Sequence, residues 1–435
     1  MKKILTGLTL AMTAAAAFAG EVLFTEKEYV AGNGKVYLPE TAAEVMSEDG
    51  RISLRVEMEY VSDKRCTFEF ASDNSAFSGL CNKFIPGTKG EVRKLSLDCT
   101  FYTQSYAKTF FRINKSKVFE LKSLSVRTID AEEYVPCTCK PEVHWFKNTR
   151  CVKMKNELAA MKPGYILLLG DSLTDNWGKN DRFNYMKENF NVYNAGNCSD
   201  RIEDLLWRVN DMGETIKANP PSLVTLLIGT NNLSAQHSNE DIAKGLENLI
   251  GTVRKYCPET KFIVFAIPPR AHSKLRPLPF PAFVNELYRR RMSELAIPFF
   301  NFSDLLLDPD TDLMIGGMYE NDMLHFSDRG YAEVVTPFIS GAIRLANAKN
   351  RPARYFEVMA AWEEYLRDRL ETTTKNHALE EMLACRIHLA DLNRYYLDVF
   401  KTLEKDPGAA VTYPAELLRQ QKAEGLPEFI RELLK

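Results

Sequence analysis

A serine and an Asp-x-x-His pair lie far apart in the sequence but are residue types that together can carry out acyl transfer. Ser172 directly follows Gly170-Asp171 at the end of an apolar run, and a serine becomes a nucleophile when a base accepts its proton. His325 is the candidate base, because Asp322 precedes it by three residues and can bind one ring nitrogen while the other faces the serine. Taken alone, Ser172 could equally cap a helix.

Two further blocks could supply hydrogen bonds to a negatively charged oxygen of a substrate. Residues 194–196 (Asn-Ala-Gly) and 229–231 (Gly-Thr-Asn) each end an apolar run. A glycine lets a backbone N–H approach a reacting oxygen, and a side-chain amide can point to the same place. The pattern predicts an oxyanion hole formed by the backbone N–H groups of Ser172 and Gly196 and the side chain of Asn231.

In this order, the four blocks resemble those of the SGNH or GDSL-type hydrolases, and the two adjacent asparagines resemble the branch of the platelet-activating-factor acetylhydrolases. The resemblance implies a flavodoxin-like α/β/α fold and a serine esterase that needs neither metal nor other cofactor. It also implies that Ser172 attacks an ester carbonyl, His325 accepts the proton and Asp322 orients His325. Asn232 departs from the pattern, since many members have aspartate there. The residues that carry the resemblance are Gly170-Asp171-Ser172-Leu173, Gly196, Gly229-Thr230-Asn231 and Asp322 to His325.

Four residues close to these blocks are candidate substrate contacts, namely Asp171, Trp177, Asn232 and His237. Trp177 could wall a pocket or, equally, cover the edge of the sheet as a buried aromatic residue. His237 could line the cleft, but a solvated loop histidine is the expected state. Residues 289–291 (Arg-Arg-Arg) have glutamates one helical turn away and are expected to form a solvated helix face.

The elements that must position these residues lie between about residues 160 and 345. Continuous apolar runs alternate there with amphipathic stretches, which is typical of a parallel sheet with helices on both faces. Such α/β sheets place functional residues at the carboxyl ends of the strands. The predicted strands are residues 165–169, 192–195, 223–228, 262–267 and 299–302, and the helices between them include residues 202–216, 241–256 and 282–295.

Different patterns flank this region. Residues 21–130 alternate apolar and polar side chains in short runs, which predicts an antiparallel β-sandwich that loosely resembles the jelly-roll modules of secreted carbohydrate-active enzymes. Residues beyond 350 have helical stripes of apolar side chains. The stripes are Tyr355, Met359, Trp362 and Leu366, and Leu379, Leu383, Ile387 and Leu392. The predicted domains are a β-sandwich at 20–140, a hydrolase domain at 141–348 and a helical extension at 349–435.

The first 19 residues have the features of a secretory signal peptide, with Lys2 and Lys3 before an apolar stretch and Ala17 and Ala19 before the cut. We therefore expect a secreted or periplasmic protein, in a compartment that permits disulfides. Six of the nine cysteines lie between residues 66 and 151. A zinc site is the alternative for the group around them, but its spacing matches no standard ligand pattern, and no metal is predicted. That group is Cys137, Cys139, His144 and Cys151.

The charge balance argues against several other classes of function. The chain has 56 Lys plus Arg against 58 Asp plus Glu and no long one-sign block, so no nucleic-acid partner is expected. No stretch after the leader is apolar enough to cross a bilayer. Export, a sandwich ahead of the hydrolase domain and the absence of a long apolar lid favour an esterase that removes O-acetyl groups from an acetylated carbohydrate. A lipid or aryl esterase and a non-catalytic glycan-binding protein are the alternatives.

Overall fold

The computed structural model describes residues 20–39, 51–72, 81–102, 109–114, 118–130, 132–141, 148–272, 275–414 and 428. The predicted signal peptide and His144 lie outside the described residues. The chain divides into two compact units, of which unit one comprises residues 1–150, 202–210 and 231–249, and unit two comprises residues 151–201, 211–230 and 250–435. Among the helices of the described ranges, none combines the length and the apolar character that crossing a membrane requires.

Eight strands and one short helix, α1 (Glu26–Ala31), form the N-terminal part of unit one. The strands are β1 (Val22–Thr25), β2 (Lys35–Tyr37), β3 (Arg51–Ser62), β4 (Cys66–Ser72), β5 (Cys81–Ile85), β6 (Arg93–Tyr102), β7 (Thr109–Asn114) and β8 (Phe119–Thr128). They pair antiparallel in two sheets of order β1-β8-β3-β6 and β2-β7-β4-β5. Alternate side chains of β3 are buried, as the period of two requires. The predicted antiparallel sandwich is confirmed.

The expected disulfides are not found within the described part of the chain. None of the eight cysteines whose side chains are described there is in a disulfide. Cys66 and Cys99 are buried in the core of the sandwich, where the Cys66 Sγ lies 3.1 Å from the Ser62 Oγ. A buried thiol packs as a small apolar side chain, so these cysteines fill the core instead of linking strands.

A five-stranded parallel sheet lies at the centre of unit two. Its strands are β9 (Ile166–Gly170), β10 (Val192–Gly196), β11 (Leu223–Leu227), β12 (Lys261–Phe265) and β13 (Phe299–Phe300), in the order β10-β9-β11-β12-β13. The predicted α/β fold with a parallel sheet is confirmed. Gly170 pairs in register with Gly196 on one side and with Leu227 on the other. The carboxyl ends of β10, β9 and β11 therefore lie at one level of the sheet edge.

Helices connect and flank these strands. After α1 they are α2 (Asn148–Ala159), α3 (Ser172–Lys179), α4 (Asn184–Asn189), α5 (Ile202–Ala218), α6 (Thr230–Ser234), α7 (Asn239–Tyr256), α8 (Phe280–Glu294), α9 (Asp328–Gly330), α10 (Thr336–Asn347), α11 (Tyr355–Lys375) and α12 (Leu379–Lys405). A π-helical turn, Tyr331–Val335, joins α9 to α10. Three helices predicted from the sequence correspond to α5, α7 and α8.

The two apolar stripes of the helical extension differ in outcome. The stripe on α11 is buried at all four positions, with Leu366 only 1% exposed. On α12, by contrast, Leu379 is 70% exposed and Leu383 and Ile387 are also exposed, whereas Leu392 is buried. An α-helix turns about 100° per residue, so Leu392 lies about 140° around the helix from Leu379. The predicted second stripe was therefore wrong, because its members cannot share one face.

The basic run in α8 also differs from the expectation at one position. The Arg290 and Arg291 side chains are about half exposed and pair with glutamates of the same helix. The Arg289 side chain is only 2% exposed and pairs with Glu286 and with Glu364 of α11. The prediction of a solvated face was wrong for Arg289, because a carboxylate distant in the sequence lets its charge be buried.

The correction on α12 can be tested by a pair of leucine substitutions. We expect Leu366→Ala to lower the free energy of unfolding by about 2–5 kcal/mol, because it opens a cavity in a packed core. We expect Leu379→Ala to change it by less than about 0.5 kcal/mol, because the side chain already faces solvent. Urea unfolding followed by tryptophan fluorescence measures both values, and equal losses in the two variants would contradict the assignment.

Candidate active site

Ser172 lies at the point where strand β9 of unit two passes into a helix. Strand β9 ends at Gly170, and α3 begins at Ser172. The cap of α3 is Asp171, whose Oδ1 accepts the backbone N–H of Leu173 at 3.0 Å. Asp171 is 1% exposed, so this capping bond accounts for a residue that the sequence offered as a substrate contact. Ser172 is thus not the cap, and its side chain is available for another partner.

That partner is the imidazole of His325. The Ser172 Oγ lies 2.8 Å from the His325 Nε2, and the His325 Nδ1 lies 2.5 Å from the Asp322 Oδ2. The Asp322 Oδ1 accepts the backbone N–H groups of Leu324 and His325 at 3.0 and 2.9 Å. Met323, between them, has a φ of +53°, which closes the loop tightly enough for the aspartate to reach back to the histidine. The structure brings the three predicted residues into one hydrogen-bonded chain.

The protonation state of Asp322 follows from its surroundings. Partial burial raises its pKa, but the hydrogen bonds from the His325 ring and from two backbone N–H groups outweigh burial and leave the pKa below its usual value. Asp322 is therefore ionised near neutral pH and accepts a hydrogen bond from the Nδ1–H of His325. The Nε2 then has a lone pair directed at Ser172, which is the tautomer that a general base requires.

Three side-chain hydrogen bonds hold α3 against the helical segment that follows His325. The Tyr331 hydroxyl donates to the Leu173 carbonyl at 2.9 Å, and the Trp177 Nε1 donates to the Thr336 Oγ1 at 2.9 Å. A third bond joins Asn180 to Asp328. Trp177 is 1% exposed and packs edge-on against Phe183. Of the two interpretations of Trp177, the structure therefore supports the buried aromatic residue.

Gly196 is placed differently from its predicted role. Its backbone N–H donates to the Asn194 Oδ1 at 2.9 Å, so this N–H has an acceptor within its own loop. A Cβ at position 196 would lie 2.4 Å from the Asp175 nitrogen, so close packing of β10 against α3 requires the glycine. The prediction that the Gly196 N–H faces the substrate is thus not supported.

The turn that follows Gly196 contains Ser199, which the sequence pattern did not single out. The Asn197 N–H donates to the Gly170 carbonyl at 3.1 Å, which ties this turn to the strand that leads into Ser172. Ser199, within the turn, is exposed and has a φ of +61°, a conformation that glycine adopts more readily. A glycine at position 199 would have been the sequence signal for such a turn, and serine conceals it.

The third block lies at the end of β11, where α6 begins. Asn231 is the second residue of α6, and its role as a hydrogen-bond donor stays a prediction. Arg270, which had no sequence signal, donates from one guanidinium nitrogen to the Thr230 carbonyl at 2.8 Å and to the Thr230 Oγ1 at 3.1 Å. The next residue, Ala271, donates its N–H to the Met323 carbonyl at 3.0 Å. Residues 270 and 271 therefore anchor both the end of β11 and the His325 loop.

Asn232 and His237 do not face solvent in unit one. Asn232 is fully buried and donates to the Glu203 carboxylate at 2.8 Å and to the His237 Nδ1 at 3.0 Å. The His237 side chain is completely buried, and its Nε2 lies 3.8 Å from the Cys137 Sγ. The expectation of a solvated His237 was wrong, because its partners come from distant parts of the sequence. Both residues contact protein groups in place of a substrate.

The same region contains the group of side chains that could hold a metal ion. Among the described residues, Cys137, Glu203 and His237 offer three ligand atoms that lie within 4.8 Å of one another. This group shares only Cys137 with the zinc alternative considered from the sequence. Cys139 is instead close to α7, where its carbonyl accepts a hydrogen bond from the Asn248 side chain at 3.3 Å.

Comparisons with known proteins point to one family. Residues 168–333 match the GDSL-like Lipase/Acylhydrolase family. Platelet-activating factor acetylhydrolase IB subunit alpha2 of Rattus norvegicus and that of Homo sapiens are each 27% identical over 175 residues, which cover 40% of this chain and 73% of the relative. A solved GDSL-like lipase from Bacteroides thetaiotaomicron VPI-5482 is 18% identical, with a TM-score of 0.38, and the match covers 45% of this chain and 98% of that chain.

Substitutions of two buried tyrosines near His325 can test whether the hydrogen bond from Tyr331 to α3 stabilises the protein. We expect Tyr331→Phe to lower the free energy of unfolding by about 0.5–1.5 kcal/mol, because it removes a buried hydrogen bond to the Leu173 carbonyl. Tyr319 is the matched control, since its buried hydroxyl has no hydrogen-bond partner among the described residues. Tyr319→Phe should leave stability unchanged or slightly raised. Urea unfolding of both variants checks this order, and the reverse order would refute it.

Proposed function

Because residues 168–333 match the GDSL-like lipase/acylhydrolase family, we propose that the chain is a carboxylic ester hydrolase that removes O-acetyl groups from a poly- or oligosaccharide. One observation carries the assignment of the residues, namely the unbroken hydrogen-bonded chain from Asp322 through His325 to Ser172. An export signal at residues 1–19 would place the enzyme in the periplasm or outside the cell, where acetylated polysaccharides are found.

In the proposed mechanism the Ser172 Oγ attacks the carbonyl carbon of the ester while the His325 Nε2 takes its proton. The ester C–O bond then breaks, and His325 gives the proton to the departing alcohol, which leaves an acetyl group on Ser172. Water, deprotonated by His325, then attacks the acyl carbon of that acyl-enzyme. The bond between this carbon and the Ser172 Oγ breaks, His325 returns the proton to the Oγ, and acetate leaves. The ionised Asp322 stabilises the imidazolium that forms in each half of the reaction.

Negative charge on the carbonyl oxygen needs hydrogen-bond donors placed in advance. The Ser172 N–H is the first of α3, where the helix itself provides no acceptor and the helix dipole favours negative charge. The resemblance to the family adds the side chain of Asn231 as a second donor. We assign the remaining donor to the turn at residues 197–200 in place of Gly196, whose N–H binds Asn194.

The carbohydrate substrate is favoured by the organisation of the chain. The β-sandwich of unit one loosely resembles the jelly-roll modules of secreted carbohydrate-active enzymes. The formal net charge of −2 also suits an uncharged acetylated glycan, which needs no electrostatic steering. A cavity of about 1210 Å³ in unit two is lined by parts of α8, α11 and α12 and does not include Ser172 or His325, so it provides no acyl channel to the nucleophile.

A lipid acetyl ester is the second candidate. The curated relatives at 27% identity are named platelet-activating factor acetylhydrolases, and the similarity covers 73% of their length. Both candidates require cleavage of an acetyl ester and differ in the alcohol that carries it. Arylesterase activity and a glycan-binding protein without catalysis remain as outcomes of the experiments below.

The roles of the three residues can be tested together. We expect Ser172→Ala to abolish hydrolysis of p-nitrophenyl acetate and labelling by a fluorophosphonate probe, because the attacking oxygen is lost. We expect Asp322→Asn to lower kcat by about 10²- to 10⁴-fold, because the imidazole loses its orienting carboxylate. Ser293→Ala, at an exposed serine of α8, should retain both activities. A wild-type protein that the probe does not label would instead favour the glycan-binding alternative.

The choice of substrate requires a direct comparison of acetyl esters. We expect acetate release from acetylated xylan, pectin or sialoglycans, and a fall in kcat/KM of at least about 10-fold when the acyl group is lengthened from acetyl to octanoyl, because a site that is specific for acetyl groups would exclude the longer chain. Ser172→Ala provides the control for background hydrolysis. Cleavage of platelet-activating factor without release of acetate from any glycan would select the lipid candidate, and preference for octanoyl esters would refute both.

A further inference from the structure

Five polar side chains of unit one meet in a buried cluster that the proposed mechanism does not use. They come from strand β5 of the sandwich, the short 3₁₀ helix Cys137–Cys139, the first turn of α5 and the segment that begins at α6. Each residue is less than 10% exposed. Burial of so many polar groups is costly unless each one is paired. The members, here called the Lys83 cluster, are Lys83, Cys137, Glu203, Asn232 and His237.

Asn232 organises the cluster, because both ends of its amide are engaged. Its Oδ1 accepts the Ile202 backbone N–H at 3.0 Å, which identifies that atom as the oxygen. Its Nδ2 donates to Glu203 and to the His237 Nδ1 at 2.8 and 3.0 Å. The His237 Nδ1 must therefore have a lone pair, and a neutral His237 has its proton on Nε2. The Cys137 Sγ lies 3.8 Å from the Nε2 and 3.9 Å from the Nδ1, and the Glu203 carboxylate lies 3.9 Å from the Nε2.

Lys83 adds a positive charge from the sandwich. Its Nζ donates to the Cys137 Sγ, and Lys83 is 4% exposed. Burial raises the pKa of the Cys137 thiol and outweighs the opposite effect of Lys83, so the sulfur is a neutral acceptor. The Glu203 carboxylate has an oxygen within 4.8 Å of the same sulfur, and the buried Asp241 carboxyl group also interacts electrostatically with Lys83. The buried ammonium thus offsets the charge of nearby buried acidic side chains.

The spacing of the ligand atoms is close to that of a metal site, but two other observations argue against a metal ion in this cluster. The ligand atoms of a tetrahedral zinc site lie about 3.3–3.7 Å apart, and the His237 Nε2 lies 3.8 Å from the Cys137 Sγ and 3.9 Å from the Glu203 carboxylate. A metal on that nitrogen would, however, require a proton on Nδ1, which faces the N–H of Asn232. The Lys83 ammonium would also lie against the metal-bound sulfur. The hydrogen bonds therefore describe a metal-free network.

We propose that Lys83 is a positioning residue of the esterase, which acts through Cys137, Glu203 and His237 on Asn232 and so fixes the neighbouring Asn231. The proposal rests on the proposed function, in which Asn231 donates to the oxyanion. Asn231 and Asn232 are consecutive in the first turn of α6, so a side chain held at one residue restricts the backbone of the other. On this proposal, the N-terminal sandwich affects the esterase reaction through a residue that positions Asn231.

A double-mutant cycle tests whether Lys83 acts through Asn231. We expect Lys83→Met to lower kcat for p-nitrophenyl acetate by about 10- to 100-fold with KM nearly unchanged, because misplacing a donor affects the transition state more than substrate binding. In an Asn231→Ala background the same change should have no further effect. Lys83→Arg should restore most of the activity, since it retains the charge. An equal loss in both backgrounds would overturn the proposal.

A matched control and a second measurement separate this proposal from the proposed function. Lys94→Met removes a lysine whose side chain is 85% exposed on β6, and it should leave kcat unchanged. Hydrogen exchange followed by mass spectrometry should show faster exchange of the backbone amides in residues 230–238 in Lys83→Met than in the wild type, whether or not the wild type cleaves an ester. Unchanged exchange there would overturn the positioning role. Failure of the wild-type protein to react with fluorophosphonate, together with faster exchange, would overturn the proposed function alone.

Zinc binding provides the remaining arm of the test. Protein dialysed against zinc and then against metal-free buffer should retain less than about 0.1 equivalent of zinc by elemental analysis, because Lys83 and Asn232 both oppose a cation at the cluster. Retention of one equivalent in the wild type that is lost in Cys137→Ser would establish a metal site and overturn the proposed network.

Discussion

The arrangement of Ser172 and His325 depends on how one helix is held against a segment about 150 residues later. Ser172 is the first residue of α3, while His325 lies in a loop that precedes α9 and α10. Tyr331 and Thr336 bind α3 at Leu173 and Trp177, one turn apart. Because these hydrogen bonds are buried, the low-dielectric interior strengthens them, and they prevent one helix from sliding along the other. A shift of 1 Å there would separate the serine oxygen from the imidazole.

The position of Ser172 also depends on close packing at the edge of the sheet. Gly170 and Gly196 pair in register at the ends of adjacent strands, and a Cβ on either would collide with residues of α3 or with a neighbouring strand. Without side chains there, α3 begins directly at the sheet edge and Ser172 lies close to the end of β9. Glycine at these positions therefore serves close packing.

The sequence predicted the features that depend on local pattern. Apolar runs identified the strands, and the order of the motif blocks identified Ser172, Asp322 and His325, because parallel strands bring their carboxyl ends together. Features that depend on distant partners were missed. His237 is buried because Cys137 and Glu203 surround it, and Arg289 is buried because Glu364 pairs with it. The predicted stripe from Leu379 to Leu392 was wrong because these residues do not share one helical face, which their spacing in the sequence already shows.

The Lys83 cluster gives a physical reason for asparagine at position 232, where many members of the family have aspartate. An aspartate there could accept the Ile202 N–H, but it could donate neither to Glu203 nor to His237. It would also bury a second carboxylate beside Glu203, which raises the electrostatic cost unless His237 becomes protonated or another cation is added. Asparagine keeps His237 neutral and donates two hydrogen bonds. Asn232 and Lys83 are therefore parts of one charge balance, in which an amide replaces the carboxylate and the sandwich contributes the cation.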